Sequence, residues 1–303
     1  MANHNSAPFS AIVIASFGQK VRVLDSQMEV FSCECYKSLG PLVVGDKVQV
    51  QQDSDTGHYI VKTVAQRSNT LLRPDIQKKM RAVATCVDQI FIVVAIEPAF
   101  RLLQIDKMIA ALSVQGFKPI ILLNKMDLAD QAPTSLAQLE QIYSKLGYLV
   151  LHTSAQETKS LKALQSQLQD KVNIFIGPSG VGKSSLLNAM MPHLELKTKT
   201  LSEKAKGRHT TSTIHYYQLN PSTAIIDSPG FDDFGLWDID PKTLQHGFIE
   251  INQIGQSCQF RNCQHIHEPG CMVKAAVEQG TISKSRYEHY MKLWLESQDN
   301  NAS

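Results

Sequence analysis

Residues Gly177 to Ser185 read GPSGVGKSS, a spacing suited to holding phosphate groups. The pattern is G-x-x-x-x-G-K-[ST], whose glycines let the backbone wrap around phosphates with its N–H groups pointing inward. Lys183 would reach the β and γ phosphates of a nucleotide, and the Ser184 hydroxyl would bind Mg²⁺. The alternative is a glycine-rich turn that binds nothing, but an apparent strand precedes the pattern and an apparent helix follows it. The predicted loop residues are Gly177, Pro178, Ser179, Gly180, Val181, Gly182, Lys183, Ser184 and Ser185.

A second motif lies upstream, where NKMD from Asn124 to Asp127 follows the apolar run PIILL. It resembles the base-reading N-K-x-D motif of GTPases. The Asp127 carboxylate would accept hydrogen bonds from the ring N–H and the exocyclic amine of guanine, a pair of donors that adenine lacks. TSA, Thr153 to Ala155, ends the next predicted strand and would support the base. The predicted base-binding residues are Asn124, Lys125, Met126, Asp127, Ser154 and Ala155.

The segment after the phosphate loop carries residues suited to Mg²⁺ and to the γ phosphate. DSPG follows the apolar run TAII, and Asp227 would hold Mg²⁺ through water while the Gly230 N–H senses the γ phosphate. A plain turn is the alternative for D-S-P-G. The lysine-rich stretch before it resembles a switch, in which Thr211 or Thr210 would complete the Mg²⁺ sphere. Its lysines are either a solvated loop or contacts to the phosphates of a partner nucleic acid.

Catalysis needs a group that orients the attacking water, and the position used for this in many GTPases holds Phe231. A phenyl ring cannot orient that water. Hydrolysis is therefore expected to be slow until a partner intervenes, or to use another residue, for which His209 is the candidate. The predicted catalytic residues are Lys183, His209 and Thr211, and the predicted magnesium ligands are Ser184, Asp227 and Thr211.

The third constellation is CQFRNCQHIHEPGC, near the carboxyl end of the chain. Cys258, Cys263, His265 and Cys271 supply three thiolates and one imidazole, the ligand set of a structural tetrahedral Zn²⁺ site. His267 is an alternative imidazole ligand, and buried free cysteines are the alternative to a metal. Because four protein ligands close the coordination shell, this zinc would be structural rather than catalytic.

Three kinds of segment must position these residues. Five short β-branched runs between residues 8 and about 68 predict a small OB-type β-barrel, with an SH3-like barrel as the alternative. Apolar runs alternating with helical stripes up to residue 232 predict a doubly wound, mostly parallel sheet. Helical stretches flank the cysteine cluster, and the tail SQDNNAS is expected to be disordered. The predicted domains are 1–70 for the barrel, 71–235 for the α/β P-loop domain and 236–303 for an α-helical zinc domain.

Composition restricts the partners. The chain has 30 basic and 28 acidic residues and a net charge of +2, so any basic surface for nucleic acid must be local. No apolar run approaches the roughly 20 residues of a membrane span, and the amino terminus lacks the features of a signal peptide. We expect a soluble, cytoplasmic, monomeric protein without a membrane partner.

The order of the motifs along the chain is unusual. N-K-x-D comes first, then T-S-A, the phosphate loop, GRHTT and D-S-P-G, which is a circular permutation of the GTPase order. A parallel sheet tolerates this because each motif lies at a strand end, wherever the chain is cut. With a barrel before these motifs and the Cys₃His set after them, the chain resembles the small ribosomal subunit biogenesis GTPases (RsgA/YjeQ). The matching residues are NKMD, GPSGVGKSSLLNA, GRHTT, DSPGF, the zinc set and AAVEQGTISKSRYEHY.

This resemblance covers nearly the whole chain. It implies a circularly permuted GTPase that binds GTP and GDP with Mg²⁺ and binds the 30S ribosomal subunit late in its maturation. It further implies contacts to 16S rRNA through the barrel and the zinc domain, and GTP hydrolysis stimulated by the subunit. Two other functions remain as alternatives. One is an RNA-binding assembly factor that senses GTP with negligible turnover, and the other is a GTPase acting on a non-ribosomal nucleic acid.

Overall fold

The structure, a computed structural model, describes residues 7–75, 79–191, 214–227 and 241–301. Along these ranges a closed β-barrel is followed by a two-stranded hairpin, an open sheet with helices on both faces, and a group of helices. No helix within them is both long enough and apolar enough to cross a membrane.

The barrel forms because its strands alternate apolar and polar side chains. Its strands are β1 (Phe9–Phe17), β2 (Lys20–Asp25), β3 (Val30–Cys35), β4 (Lys47–Gln52) and β5 (Tyr59–Val64). The apolar set points inward, and Val13, Val23 and Val61 are fully buried. β1 pairs with both β2 and β4, and β3 pairs in parallel with β5, which closes the order β1-β2-β3-β5-β4. The predicted OB-like barrel is confirmed.

A hairpin that no sequence pattern predicted follows the barrel. Its strands are β6 (Thr70–Pro74) and β7 (Met80–Thr85). Leu71 is fully buried, and the Leu72 N–H donates to Gln115 Oε1 over 2.9 Å, so residues distant in sequence hold the hairpin. The register places Arg73 directly opposite Arg81, whose Nε also lies 2.8 Å from the Asp75 carboxylate.

The open sheet is mostly parallel, as predicted. Its strands are β8 (Gln89–Ala95), β9 (Ile120–Asn124), β10 (Val150–His152), β11 (Val172–Ile176), β12 (His215–Asn220) and β13 (Thr223–Asp227). Within the described ranges their order is β10-β9-β8-β11-β13-β12. The edge strand β12 is antiparallel to β13, whereas the other neighbours are parallel.

Helices cover both faces of this sheet, as a doubly wound fold requires. The helices are α1 (Leu102–Ser113), α2 (Pro133–Lys145), α3 (Thr158–Leu168) and α4 (Lys183–Met190). On β8, Ile90 and Ile92 belong to the core formed with α1 and α2, whereas Phe91 and Val93 belong to the core formed with α3 and α4. A strand buried on both faces needs a continuous apolar run, which β8 has.

The C-terminal helices pack against α1 and extend its core. They are α5 (Pro241–Leu244), α6 (Ile249–Gly255), α7 (Met272–Glu278) and α8 (Lys284–Asn301), with a 3-10 turn at Gln245–Gly247. Phe248 and Ile251 are buried in the same apolar cluster as Ile105 of α1. α8 continues through Ser297, which is 3% exposed, to Asn301. The predicted disorder of the tail is wrong over these residues, because composition does not show that Ser297 is buried by the rest of the protein.

Candidate functional site

The described parts of the predicted nucleotide motifs lie together at the carboxyl ends of the parallel strands. β9, β10, β11 and β13 run in the same direction, and each ends at one of these motifs. The strand order places the base-binding motifs after β10 and β9, the phosphate loop after β11, and Asp227 at the end of β13. A nucleotide lying across these strand ends would contact first the residues predicted to bind its base, then those predicted to bind its phosphates, and then those predicted to bind a metal ion.

The phosphate loop joins β11 to α4 along a tightly curved path. Gly177, Gly180 and Gly182 have φ angles of 146°, 82° and 92°, which glycine adopts without steric cost. An added Cβ at Gly177 would collide with the Val93 carbonyl, so the loop passes directly over the neighbouring strand. α4 begins at Lys183, and the free N–H groups of a helix N-terminus favour an anion.

Lys183 lies within the curve of this loop. Its Nζ donates to the carbonyl oxygens of Gly177 at 2.5 Å and Pro178 at 2.9 Å. A phosphate entering the loop would compete for the same ammonium group through a stronger bond, because both partners would then carry a charge. Ser184 is half-buried at the start of α4, and Val181 is buried in the core. The exposed residues of the loop are Ser179, Gly180 and Ser185.

Asn124 joins the base-binding motif to the phosphate loop. Its Nδ2 donates to the Val181 carbonyl over 2.8 Å, across a separation of 57 residues. An added Cβ at Gly182 would collide with the same amide group, so Gly182 permits this close approach. Among the described residues, the buried Asn124 Oδ1 has no hydrogen-bond partner, which suits a site that receives a polar ligand.

Asp127 is exposed beside the end of β9, and the neighbouring motif orients it. The Ser154 hydroxyl donates to Asp127 Oδ1 over 2.5 Å, and the Met126 N–H donates to the Thr153 carbonyl over 3.1 Å. Ser154 is buried and Ala155 is half-buried. The protein therefore holds the two predicted base-binding motifs in direct contact.

The segment after β8, which no motif predicts, also borders the site. β8 lies between β9 and β11, so the residues that follow it adjoin both motifs. Lys125 Nζ donates to the Glu97 carbonyl at 2.5 Å. An added Cβ at Gly180 would lie 3.5 Å from Pro98 Cδ, so the proline ring packs beside the phosphate loop. The continuous apolar run of β8 predicts a central strand. This is the signal in the sequence from which the residues that follow β8 could have been placed beside the nucleotide motifs.

Several predicted residues lie outside the described ranges. These are His209, Thr210, Thr211, Gly230 and Phe231, and their roles remain predictions. Two of the predicted magnesium ligands lie within the described ranges. Ser184 and Asp227 are both half-buried, and Asp227 lies in register with Phe175 of β11 and His215 of β12.

The four predicted zinc ligands meet in one place. The ligand atoms of Cys258, Cys263, His265 and Cys271 all lie within 4.8 Å of one another. His265 Nδ1 is 3.6 Å from Cys258 Sγ and 3.4 Å from Cys271 Sγ, and these two sulfurs are 3.9 Å apart. Bonds of about 2.3 Å to sulfur and about 2.0 Å to nitrogen in a tetrahedral site separate the ligands by about 3.5–3.8 Å. The donor set and its spacing therefore fit a zinc ion.

The surroundings favour His265 over His267 as the imidazole ligand. His265 is 1% exposed and belongs to the group, whereas His267 is exposed and does not. Burial lowers the pKa of His265 and so favours the neutral ring that a metal requires. The Glu268 carboxylate, which sequence reasoning did not single out, accepts the backbone N–H groups of Gln264 at 2.7 Å and Ile266 at 3.0 Å. These bonds hold the loop that carries the ring.

The chain is similar to known proteins over most of its length. A family model described as RsgA GTPase matches residues 64–237. The small ribosomal subunit biogenesis GTPase RsgA of Saccharophagus degradans is 37% identical over 296 residues, which cover 94% of this chain and 86% of that protein. The chain belongs to the RsgA GTPase family. RsgA 1 of Vibrio vulnificus strain YJ016 is 35% identical over 298 residues, covering 96% of this chain and 85% of that protein.

Two solved structures share the architecture of this RsgA GTPase family member. YjeQ from Thermotoga maritima has a TM-score of 0.78 and 33% identity, covering 96% of this chain and 99% of that chain. YloQ, described as a circularly permuted GTPase, has a TM-score of 0.75 and 29% identity, covering 99% of this chain and 98% of that chain. The predicted circularly permuted GTPase fold, with its barrel and its C-terminal Cys₃His cluster, is therefore confirmed.

For this RsgA GTPase family member we predict that Cys271→Ala abolishes zinc binding. The zinc content should fall from about one ion per chain to near zero, and the C-terminal helices should become less stable, because the ion contributes folding free energy. Metal analysis and thermal unfolding of the purified protein measure both effects. Cys86→Ala, which removes a thiol outside the cluster, is the control. Equal zinc content in both variants would show that Cys271 is only a core residue.

Proposed function

We propose that this protein is a cytoplasmic GTPase that binds the 30S ribosomal subunit, hydrolyses GTP when the subunit stimulates it, and assists late maturation of that subunit. One observation supports the proposal that the protein binds GTP. Asp127, Lys183 and Asp227, which would bind the base, the phosphates and the metal, lie near the ends of parallel strands in that spatial order. The ribosomal part rests on the relatives, which are named small ribosomal subunit biogenesis GTPases.

Different residues of the site would bind different parts of GTP. Asp127, oriented by Ser154, would accept two hydrogen bonds from guanine. Lys183 and the N–H groups of the phosphate loop would bind the β and γ phosphates. Ser184, Asp227 and Thr211 would hold Mg²⁺, which supplies positive charge against the phosphate oxygens when bound. The Gly230 N–H would contact the γ phosphate.

The hydrolytic step would depend on a partner. Phe231 occupies the position from which many GTPases orient the attacking water, and its ring cannot do so. We assign this role to His209, which lies in the basic stretch between α4 and β12. Binding of the subunit would bring His209 toward the γ phosphate.

Local positive charge supports an RNA partner. Residues 70–85, which include the hairpin, contain four basic residues and one acidic residue, with Arg73 and Arg81 opposite each other. Arg81 Nε lies 2.8 Å from Asp75 Oδ2, and the basic residues in excess over this one carboxylate would attract RNA phosphates. The stretch from 197 to 208 adds five basic residues. They are Lys197, Lys199, Lys204, Lys206 and Arg208.

Phosphate release from GTP, with and without purified 30S subunits, tests the proposal. The isolated protein should turn over slowly, and 30S subunits should raise turnover by on the order of tenfold or more, whereas 50S subunits should not. Stimulation should fall as salt rises, because contacts to rRNA phosphates release counterions. Tight GTP binding with negligible turnover in both cases would instead indicate a GTP-sensing assembly factor. Equal stimulation by unrelated RNA would indicate a non-ribosomal target.

His209→Ala is expected to lower the stimulated kcat by on the order of 100-fold while GTP affinity is unchanged. The reason is that His209 would act on the attacking water in the transition state and not in binding. Subunit-stimulated phosphate release and GTP affinity are measured side by side. His246→Ala, which removes an exposed histidine outside the nucleotide site, is the control. Full stimulated turnover in His209→Ala would mean that the subunit itself positions the water.

A further inference from the structure

His265 has a second partner on the side away from the cysteines. Its Nδ1 faces the sulfur atoms of Cys258 and Cys271, whereas its Nε2 lies 2.9 Å from Gln245 Oε1. Gln245 is half-buried at the start of the 3-10 turn between α5 and α6. The two ring nitrogens therefore contact two different parts of the chain.

These contacts determine which ring nitrogen carries the proton. A nitrogen that binds a metal ion must lack its proton, so a neutral imidazole then carries its proton on the other nitrogen. With Nδ1 facing the cluster, Nε2–H is the donor, and the amide oxygen of Gln245 is the acceptor at hydrogen-bond distance. A group in this position behind a metal-binding histidine orients the ring and increases its basicity.

The backbone around His265 leaves space for this hydrogen bond. An added Cβ at Gly255 would lie 2.8 Å from His265 Nε2, so a side chain there would crowd the nitrogen. On the other side, the Tyr287 hydroxyl donates to the His265 carbonyl over 2.7 Å. His265 also has a φ of 63°, an uncommon conformation for a residue with a side chain. Gly255 on α6 therefore leaves Nε2 accessible to Gln245, and Tyr287 on α8 holds the backbone of His265 in place.

Gln245 is itself held firmly against the nucleotide-binding part of the protein. Gly247, in the same turn, packs so closely on α1 that an added Cβ would lie 2.7 Å from Ala110 Cα. Leu244 and Phe248, at the two ends of this turn, are fully buried. The Gln245 side chain therefore starts from a fixed backbone, which a group that orients a ligand needs.

We propose that Gln245 is a positioning residue for the metal cluster. Its amide oxygen holds the His265 ring in the tautomer and the orientation that direct Nδ1 at the ion. The proposal rests on zinc binding by the Cys₃His cluster. It also means that one hydrogen bond connects the cluster to the turn that packs on α1.

The test compares Gln245→Leu, which removes the acceptor at similar volume, with Gln245→Glu, which keeps an oxygen acceptor. Zinc release from each holoprotein to an excess of a chromophoric chelator should be about 10- to 100-fold faster for Gln245→Leu than for the wild type. Gln245→Glu should release zinc at close to the wild-type rate. Gln253→Leu, which replaces an exposed glutamine on α6, is the matched control and should leave the rate unchanged.

Two further measurements separate a positioning role from misfolding. GDP affinity should be equal in all variants, which shows that the nucleotide-binding part is folded. In Co²⁺-substituted protein the d–d absorption bands should change in Gln245→Leu and return to the wild-type pattern in Gln245→Glu. If Gln245→Leu releases zinc at the wild-type rate, or if both Gln245 variants release it equally fast, the positioning role of Gln245 is overturned. The zinc proposal is unaffected by that result. Absence of zinc from the wild-type protein would overturn the zinc proposal and this one with it.

Discussion

Arg286→Ala is expected to lower the free energy of unfolding by about 3–5 kcal/mol. Arg286 is 1% exposed on α8 and lies between the carboxylates of Glu250 on α6 and Asp106 on α1. Its Nε and Nη2 lie 2.7 and 3.0 Å from the two Glu250 oxygens, and its Nη1 lies 2.5 Å from Asp106 Oδ1. Removing the guanidinium would leave two buried carboxylates without their cation.

The remaining contacts cannot replace this cation. The Tyr143 hydroxyl donates to Asp106 Oδ1 over 2.5 Å, and His289 Nδ1 lies 2.6 Å from Asp106 Oδ2. Both contacts are to Asp106, so they do not replace the cation beside Glu250. Burial alone would lower the pKa of Arg286, yet the charges of Asp106 and Glu250 and the hydrogen bonds to Glu250 outweigh it and raise that pKa. Arg286 is therefore cationic at any working pH. The ion pairs of Arg286 with Asp106 and Glu250 therefore join α1 of the nucleotide-binding part to the C-terminal helices.

Urea unfolding measures this loss, followed by tryptophan fluorescence, to which Trp294 on α8 contributes. Lys284→Ala is the matched control, since it removes a cation from the same helix. The Lys284 side chain is 83% exposed and its Nζ lies 3.9 Å from the Glu288 carboxylate, so little change is expected. If Arg286→Ala unfolds at the same urea concentration as Lys284→Ala, these buried charges do not hold the C-terminal helices on α1.

Asp127→Asn is expected to weaken GTP and GDP binding by on the order of 100-fold or more and to shift preference toward xanthine nucleotides. Guanine presents two donors to a carboxylate, whereas an amide offers only one acceptor oxygen. In this structure the Ser154 hydroxyl donates to Asp127 Oδ1. The same hydroxyl would select the oxygen of an asparagine, leaving the amide NH₂ to donate to the ring carbonyl of xanthine.

Equilibrium binding of GDP, XDP and ADP to the wild-type protein and the variant measures this change. Asp130→Asn, which alters an exposed carboxylate in the 3-10 helix Met126–Gln131 that also contains Asp127, is the matched control and should keep the preference for GDP. If Asp127→Asn binds GDP as tightly as the wild-type protein, Asp127 does not contact the base. Equal wild-type affinity for GDP and ADP would contradict the GTPase assignment itself.

The sequence by itself determined the motifs and the class of fold. Gly177 to Ser185, Asn124 to Asp127 and the Cys₃His set are each short, and their chemistry follows from residue type and spacing within one segment. Local patterns likewise report burial: the alternation of apolar runs with helical stripes predicts the doubly wound sheet, and the short β-branched runs predict the barrel. The order of the motifs then shows the permutation, because a parallel sheet brings strand ends together whatever their order along the chain.

Only the tertiary structure decided which distant residues meet. Arg286 and Asp106 are 180 residues apart, and Gln245 and His265 are 20 apart on different elements. The choice between the histidines at 265 and 267, and the register that places Arg73 opposite Arg81, also depended on packing. Such contacts arise from the way whole helices and strands fit together. A local pattern of residues records which side of an element is buried, but it does not record what lies against that side.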